Sequence, residues 1–137
     1  MDAADLLSWV RSVRSLLRDA HRLEAGDQQI GNMLSASLAE ADGSWPCAAV
    51  RAIIESERSV QLERGFSIGL YNRRGVVTRS PGGAQERSLA ERYEGFASAV
   101  ADTAPRTAAV LRGIGRSYRD EAAREDLQSA VEQDLEE

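Results

Sequence analysis

The chain contains no lysine: all 17 of its basic residues are arginine, against 22 acids. That removes the lysine of a phosphate-binding P-loop, Schiff-base chemistry and any lysine general base. An arginine-only set also suggests a high-GC bacterial or phage gene. There is one cysteine, Cys47, so neither an internal disulfide nor a cysteine-based zinc finger can form. There is one histidine, His21, so acid–base work near pH 7 would fall to carboxylates, tyrosine or that single imidazole. No apolar run approaches the roughly 20 residues of a membrane span. The start, Met1-Asp2-Ala3-Ala4-Asp5, lacks the basic region of a signal peptide. The expectation is a cytoplasmic protein with no membrane contact and no cofactor.

What is present is an ordinary globular mixture of 137 residues, enough for one domain with a sizeable core. The net charge of −5 does not favour nucleic acid, although it leaves it possible. Charge is unevenly spread. Residues 1–50 carry 4 arginines and 7 acids, residues 51–92 carry 8 and 5, and residues 93–137 carry 5 and 10. An acidic tail on a mildly basic middle can be self-complementary, within the chain or across a dimer.

Hydrophobic periodicity predicts an all-α protein, with about five helices in an antiparallel bundle over residues 1–131 and an acidic frayed tail at 132–137. The first helix, about 3–24, carries Leu6, Val10, Val13, Leu17 and Ala20, with Asp2 as N-cap and Gly26 as stop. The second runs from an Asp27 cap to about Ala41 through Ile30, Met33, Leu34 and Leu38. The third starts at Pro46 and reads as one long central helix through Val50, Ile53, Ile54, Val60, Ile68 and Tyr71 to Arg74. Its Gly65 and Gly69, four apart, would let another backbone approach closely. The alternative for residues 66–78 is a small β-hairpin. A fourth helix at about 84–101 carries Leu89, Tyr93, Phe96, Ala97 and Val100. A fifth, from Thr103-Ala104-Pro105, carries Ala108, Leu111, Ile114, Tyr118 and Ala122. A central helix of about 28 residues would span roughly 42 Å, long enough to make a homodimer attractive.

Four patterns carry possible chemistry. Gly65-Phe66-Ser67-Ile68-Gly69 has the spacing of a serine-hydrolase elbow, but that motif needs a histidine later in the chain, and His21 comes earlier. Asp120, Glu121, Glu125 and Asp126 are carboxylates on one helix, yet Arg116, Asp120 and Arg124 at i, i+4, i+8 read as a surface ion-pair ladder, so no metal site is expected. Arg73, Arg74, Arg79 and Arg87 flank Gly82-Gly83 at a helix start. Free N–H groups and arginine forks there could hold a phosphate, a carboxylate or an acidic partner. Finally, Arg14 and His21, separated by six residues, resemble the R-x4-6-H signature of HEPN-type helical ribonucleases. That resemblance implies a metal-independent RNA-cleaving pair at a dimer cleft.

The composition leans away from an enzyme. The expectation is a non-enzymatic helical interaction module (a bacterial or phage accessory, adaptor or small immunity-type inhibitor) that acts through a homodimer or another protein, with Arg73–Arg87 as its contact surface. The alternatives are the HEPN-like RNA-cleaving or RNA-binding domain and a phosphate or nucleotide site at Gly82-Gly83.

Overall fold

The computed structural model describes residues 2–74 and 82–136, which form six helices and no strand. In chain order these are α1 (Ala3–Asp19), α2 (Leu23–Leu34), α3 (Ala48–Glu57), α4 (Val60–Arg74), α5 (Ala84–Val100) and α6 (Pro105–Glu136). None of them is long and apolar enough to cross a membrane.

Asp2 caps α1 as expected, accepting from the Asp5 N–H at 2.9 Å. The helix ends earlier than its apolar pattern suggests, because His21 takes a left-handed backbone with φ of 57° and turns the chain into α2. Gly26 therefore does not stop α1. It lies inside α2, where an added Cβ would fall 2.3 Å from Leu17 Cδ1. Asp27 likewise is not a cap but a buried residue of α2. The segment from 35 to 47, expected to be mostly helix, is a loop pinned from within. The Trp45 indole donates to the Ser37 carbonyl at 2.8 Å, and the Cys47 N–H donates to Ser37 Oγ at 2.9 Å. Pro46 follows a cis bond and precedes the helix rather than opening it.

The expected long central helix is two helices. Arg58 is left-handed (φ 52°) and closes α3; Ser59 then opens α4, its Oγ accepting from the Leu62 N–H at 3.1 Å. A bend here turns Val50, Ile53 and Ile54 of α3, and Leu62, Phe66 and Leu70 of α4, into one core. The longest helix is instead α6. Residues 66–74 are helical, which excludes the first strand of the alternative hairpin; its second strand, Val76–Thr78, lies outside the described residues.

Glycine sets the closest packing. A Cβ on Gly65 would stand 2.0 Å from the Gln28 carbonyl oxygen, one on Gly31 1.9 Å from that of Leu62, and one on Gly69 2.2 Å from Ser35 Oγ. So α2 and α4 touch backbone to backbone, as the Gly65/Gly69 spacing suggested. Their contacts advance together along both chains (Gln28 with Gln61, Ser35 with Arg73), so the two helices run parallel. The expected antiparallel arrangement holds for α5 and α6, where Gly83 meets Ala122 and Glu94 meets Gly115. Ala108, Leu111, Ile114, Tyr118 and Ala122 are the buried stripe of α6, as periodicity predicts. The α2/α4 and α5/α6 pairs form the two halves of the bundle, and α4 and α6 meet only loosely across it. Complete burial of Phe66 and Leu111 contributes roughly 2–3 kcal/mol each.

Candidate functional site

Arg14 and His21 sit in different settings. Arg14 points inward from α1 and makes two parallel 2.9 Å bonds to Asp27, with a third to Glu57 at 3.2 Å. Those bonds to Asp27, with the charges of Asp27 and Glu57, outweigh desolvation and raise the guanidinium above its ordinary value. Asp27 also accepts from Ser59 Oγ at 2.6 Å, so one carboxylate ties α1, α2 and the α3–α4 turn together. His21 lies exposed in the α1–α2 turn, beside Arg18, Arg22 and Glu24. The structure brings Arg14 to two carboxylates rather than to an open cleft.

The arginine region is built the same way. Arg73 turns back on α2, donating to Ser35 Oγ at 2.9 Å. Arg74 is largely buried; it donates to the fully buried Glu86 at 2.8 Å, stands 3.7 Å from Glu121 and lies over the Tyr118 ring at 5.2 Å. At the start of α5, the Gly83 N–H and the Arg87 guanidinium both donate to Asp126, reached from α6. The backbone bond from Gly83 is the largest cause holding the Asp126 carboxyl below its ordinary value. A helix start with a nearby arginine is a built-in anion site, and here the anion is the chain's own carboxylate. Gly82 has a left-handed φ of 87°, which makes the turn into this cap. Arg79 lies outside the described residues.

The same device recurs. The Thr107 N–H, in the first turn of α6, donates to Glu55 at 2.8 Å, and the Ala48 N–H, in that of α3, donates to Glu40. Three helix starts are thus closed by carboxylates from elsewhere in the chain, which satisfies donors left without an intrahelical partner and complements the positive end of each helix. Nothing local in the sequence marks Glu40, Glu55 or Asp126 for this, because each partner lies eight or more positions away.

Six of the seven aromatic side chains, all but Trp9, form a linked cluster rather than a stacking platform. Tyr93 stacks on Tyr118 at 5.9 Å, Tyr71 lies 5.2 Å from Tyr118, and Trp45 contacts Phe66, Tyr93 and Phe96. Burial pushes the Tyr93 and Tyr118 hydroxyls up, so both stay neutral at physiological pH. Among the described residues, no group of three or more His, Cys, Asp or Glu side chains could hold a metal ion.

Among the described residues, three apolar surfaces remain open. A trough of about 400 Å³ between α1, α2 and α3 is lined by Leu6, Trp9, Met33 and Val50. A groove of about 330 Å³ runs along the loose α4/α6 seam, between Val60, Arg64 and Tyr71 on one side and Val110, Gly113 and Ser117 on the other. Along α6 the buried stripe ends at Ala122, but the helix continues to Glu136 with Leu127, Val131 and Leu135 exposed on one face. In comparisons with protein-family models, curated proteins and solved structures, none matches this chain.

Proposed function

We propose that the chain is a non-enzymatic helical interaction module, an accessory or adaptor of bacterial or phage type, that acts through a largely apolar helix face rather than through the Arg73–Arg87 region. One observation carries this reading: α6 extends about 20 Å past Ala122 with Leu127, Val131 and Leu135 spaced i, i+4, i+8 and 49–82% exposed. Such spacing presents one face, the arrangement by which a helix docks in a groove. Internal pairing of Arg14, Arg74 and Arg87 also supports it, because these three guanidiniums already hold carboxylates of the same chain.

The test combines three readouts on the intact protein. Association, with itself or with a protein partner, should be lost in Leu127→Asp/Val131→Asp while the melting temperature holds. Synthetic RNA should remain uncleaved, and inorganic phosphate should not raise the melting temperature. RNA cleavage abolished by His21→Ala, or phosphate stabilisation lost in Arg87→Ala, would overturn the reading in favour of the nuclease or the anion-binding protein.

A further inference from the structure

We infer that α6 pairs with α6 of a second copy, antiparallel, about a two-fold axis at Ala122; this rests on the interaction-module reading and names its partner. The first argument is charge. Residues 105–119 of α6 carry four arginines and no acid, whereas residues 120–136 carry seven acids and one arginine. That order runs against the helix dipole, which favours acids at the start and bases at the end. Within one helix it is unfavourable. Laid antiparallel on a second copy, each basic half meets an acidic half.

The second argument is the outward face. Ala122 is buried on the α5 side, where its carbonyl would meet any Cβ on Gly83 at 2.4 Å. The opposite side of α6 bears Ala109, Gly113, Ser117, Asp120, Arg124, Leu127, Val131 and Leu135, at helical spacing. These residues fall in pairs about position 122: Asp120 with Arg124, Ser117 with Leu127, Gly113 with Val131, Ala109 with Leu135. An antiparallel two-fold sets each residue opposite the copy's counterpart in its pair. Asp120 then faces the other copy's Arg124 twice over, and the three exposed large side chains meet the three small ones. An isologous interface requires such self-complementarity.

The third argument is space. The small residues Gly113 and Ser117 line the α4/α6 groove. Among the described residues, and apart from the adjoining backbone of α6 itself, a Cβ on Gly113 would come no nearer than 3.7 Å to any atom, that atom being the tip of Arg116. The fold therefore leaves room over Gly113 for a side chain from outside. Exposed Arg64 lies along the same groove, which the acidic end of the incoming helix reaches with Asp134. Overlap from Ala109 to Leu135 runs about 40 Å, a length compatible with the roughly 1,200 Å² of a stable interface.

The experiment is sedimentation equilibrium with charge-swap variants. Wild type should dimerise. Asp120→Arg and Arg124→Asp should each weaken the dimer by about tenfold or more, and the double swap should recover to within about threefold of wild type. All of these positions are exposed, and an unchanged helical circular dichroism and melting temperature verifies the fold in each variant. Orientation is read separately in a Cys47→Ser background. Oxidising a mixture of Ser117→Cys and Leu127→Cys proteins should give the mixed disulfide. A wild-type monomer at every concentration overturns the pairing, as does a dimer indifferent to both single swaps, or a Leu127→Cys protein that cross-links only to itself. Those outcomes leave the RNA and phosphate readouts of the preceding section untouched, so failure of the pairing and failure of the functional reading are told apart.

Discussion

Arg14 on α1 grips Asp27 on α2 through two parallel 2.9 Å bonds, the fork geometry in which arginine binds carboxylate best. Asp27 is buried and Arg14 nearly so, and Glu57 adds a third bond from the end of α3. Removing one partner strands the other charge. Arg14→Ala should therefore cost about 3 kcal/mol or more, read as a lower midpoint in urea unfolding. If it leaves stability intact and changes only an RNA-directed activity, the pair is not structural.

The backbone contact between α2 and α4 makes an unusually sharp contrast among glycines. Gly31→Ala gains helix propensity but drives a methyl into the Leu62 carbonyl, so it should destabilise by about 2 kcal/mol or more. Gly95→Ala on α5 meets no atom within 4 Å among the described residues beyond its own helix backbone, and should stabilise by up to about 1 kcal/mol. Thermal melts of the two variants should move in opposite directions.

Arg74 and Arg73 should also behave differently. Arg74→Glu places a carboxylate against buried Glu86 and beside Glu121, and should cost about 3 kcal/mol or more. Arg73→Ala removes a bond to a buried hydroxyl and a longer one to the Asn32 carbonyl, and should cost about 1 kcal/mol. Equal small losses in chemical denaturation would place the work of Arg74 outside the fold.

Asp126 gives a pH dependence with a defined sign. Its carboxyl lies below its ordinary value, first because the Gly83 N–H bonds the charged form. A depressed acid stabilises the fold above its unfolded pKa and loses that contribution as pH falls through the folded value. The melting-temperature gap between wild type and Asp126→Asn should hold steady from about pH 5 to 7 and close below about pH 4. A gap that widens in acid would show that Asp126 does not cap α5.

Which parts of this could be read from the chain alone follows from the range of the forces. The α6 stripe from Ala108 to Ala122 was legible because local periodicity decides which face is buried. The close approach at Gly65 and Gly69 was legible because the two glycines leave one helical face without side chains. The break at Arg58 was not, because the polar run Glu55–Ser59 carries no glycine or proline to end a helix; what fixes it is tertiary, the Ser59 hydroxyl reaching Asp27 from 32 positions away. Asp27 looked like a cap because it follows a glycine, and only the fold places Arg14 across from it. The sequence marks the Arg73–Arg87 region as a candidate anion or partner site, but composition cannot reveal that Glu86 pairs with Arg74 and Asp126 with Arg87. The charge order along α6 was plain to see, and it gained meaning only once one unbroken helix was found to carry it.

The two tryptophans occupy opposite environments. Trp45 is held by Ser37 among Phe66, Tyr93 and Phe96, whereas Trp9 is 40% exposed at the trough. Their fluorescence should therefore separate two events that other probes merge. In Trp9→Phe the remaining emission should be blue-shifted, shielded from iodide, and altered only when the aromatic cluster comes apart. In Trp45→Phe the remaining emission should be quenched readily by iodide, and that quenching should fall when something occupies the trough while the fold stays intact.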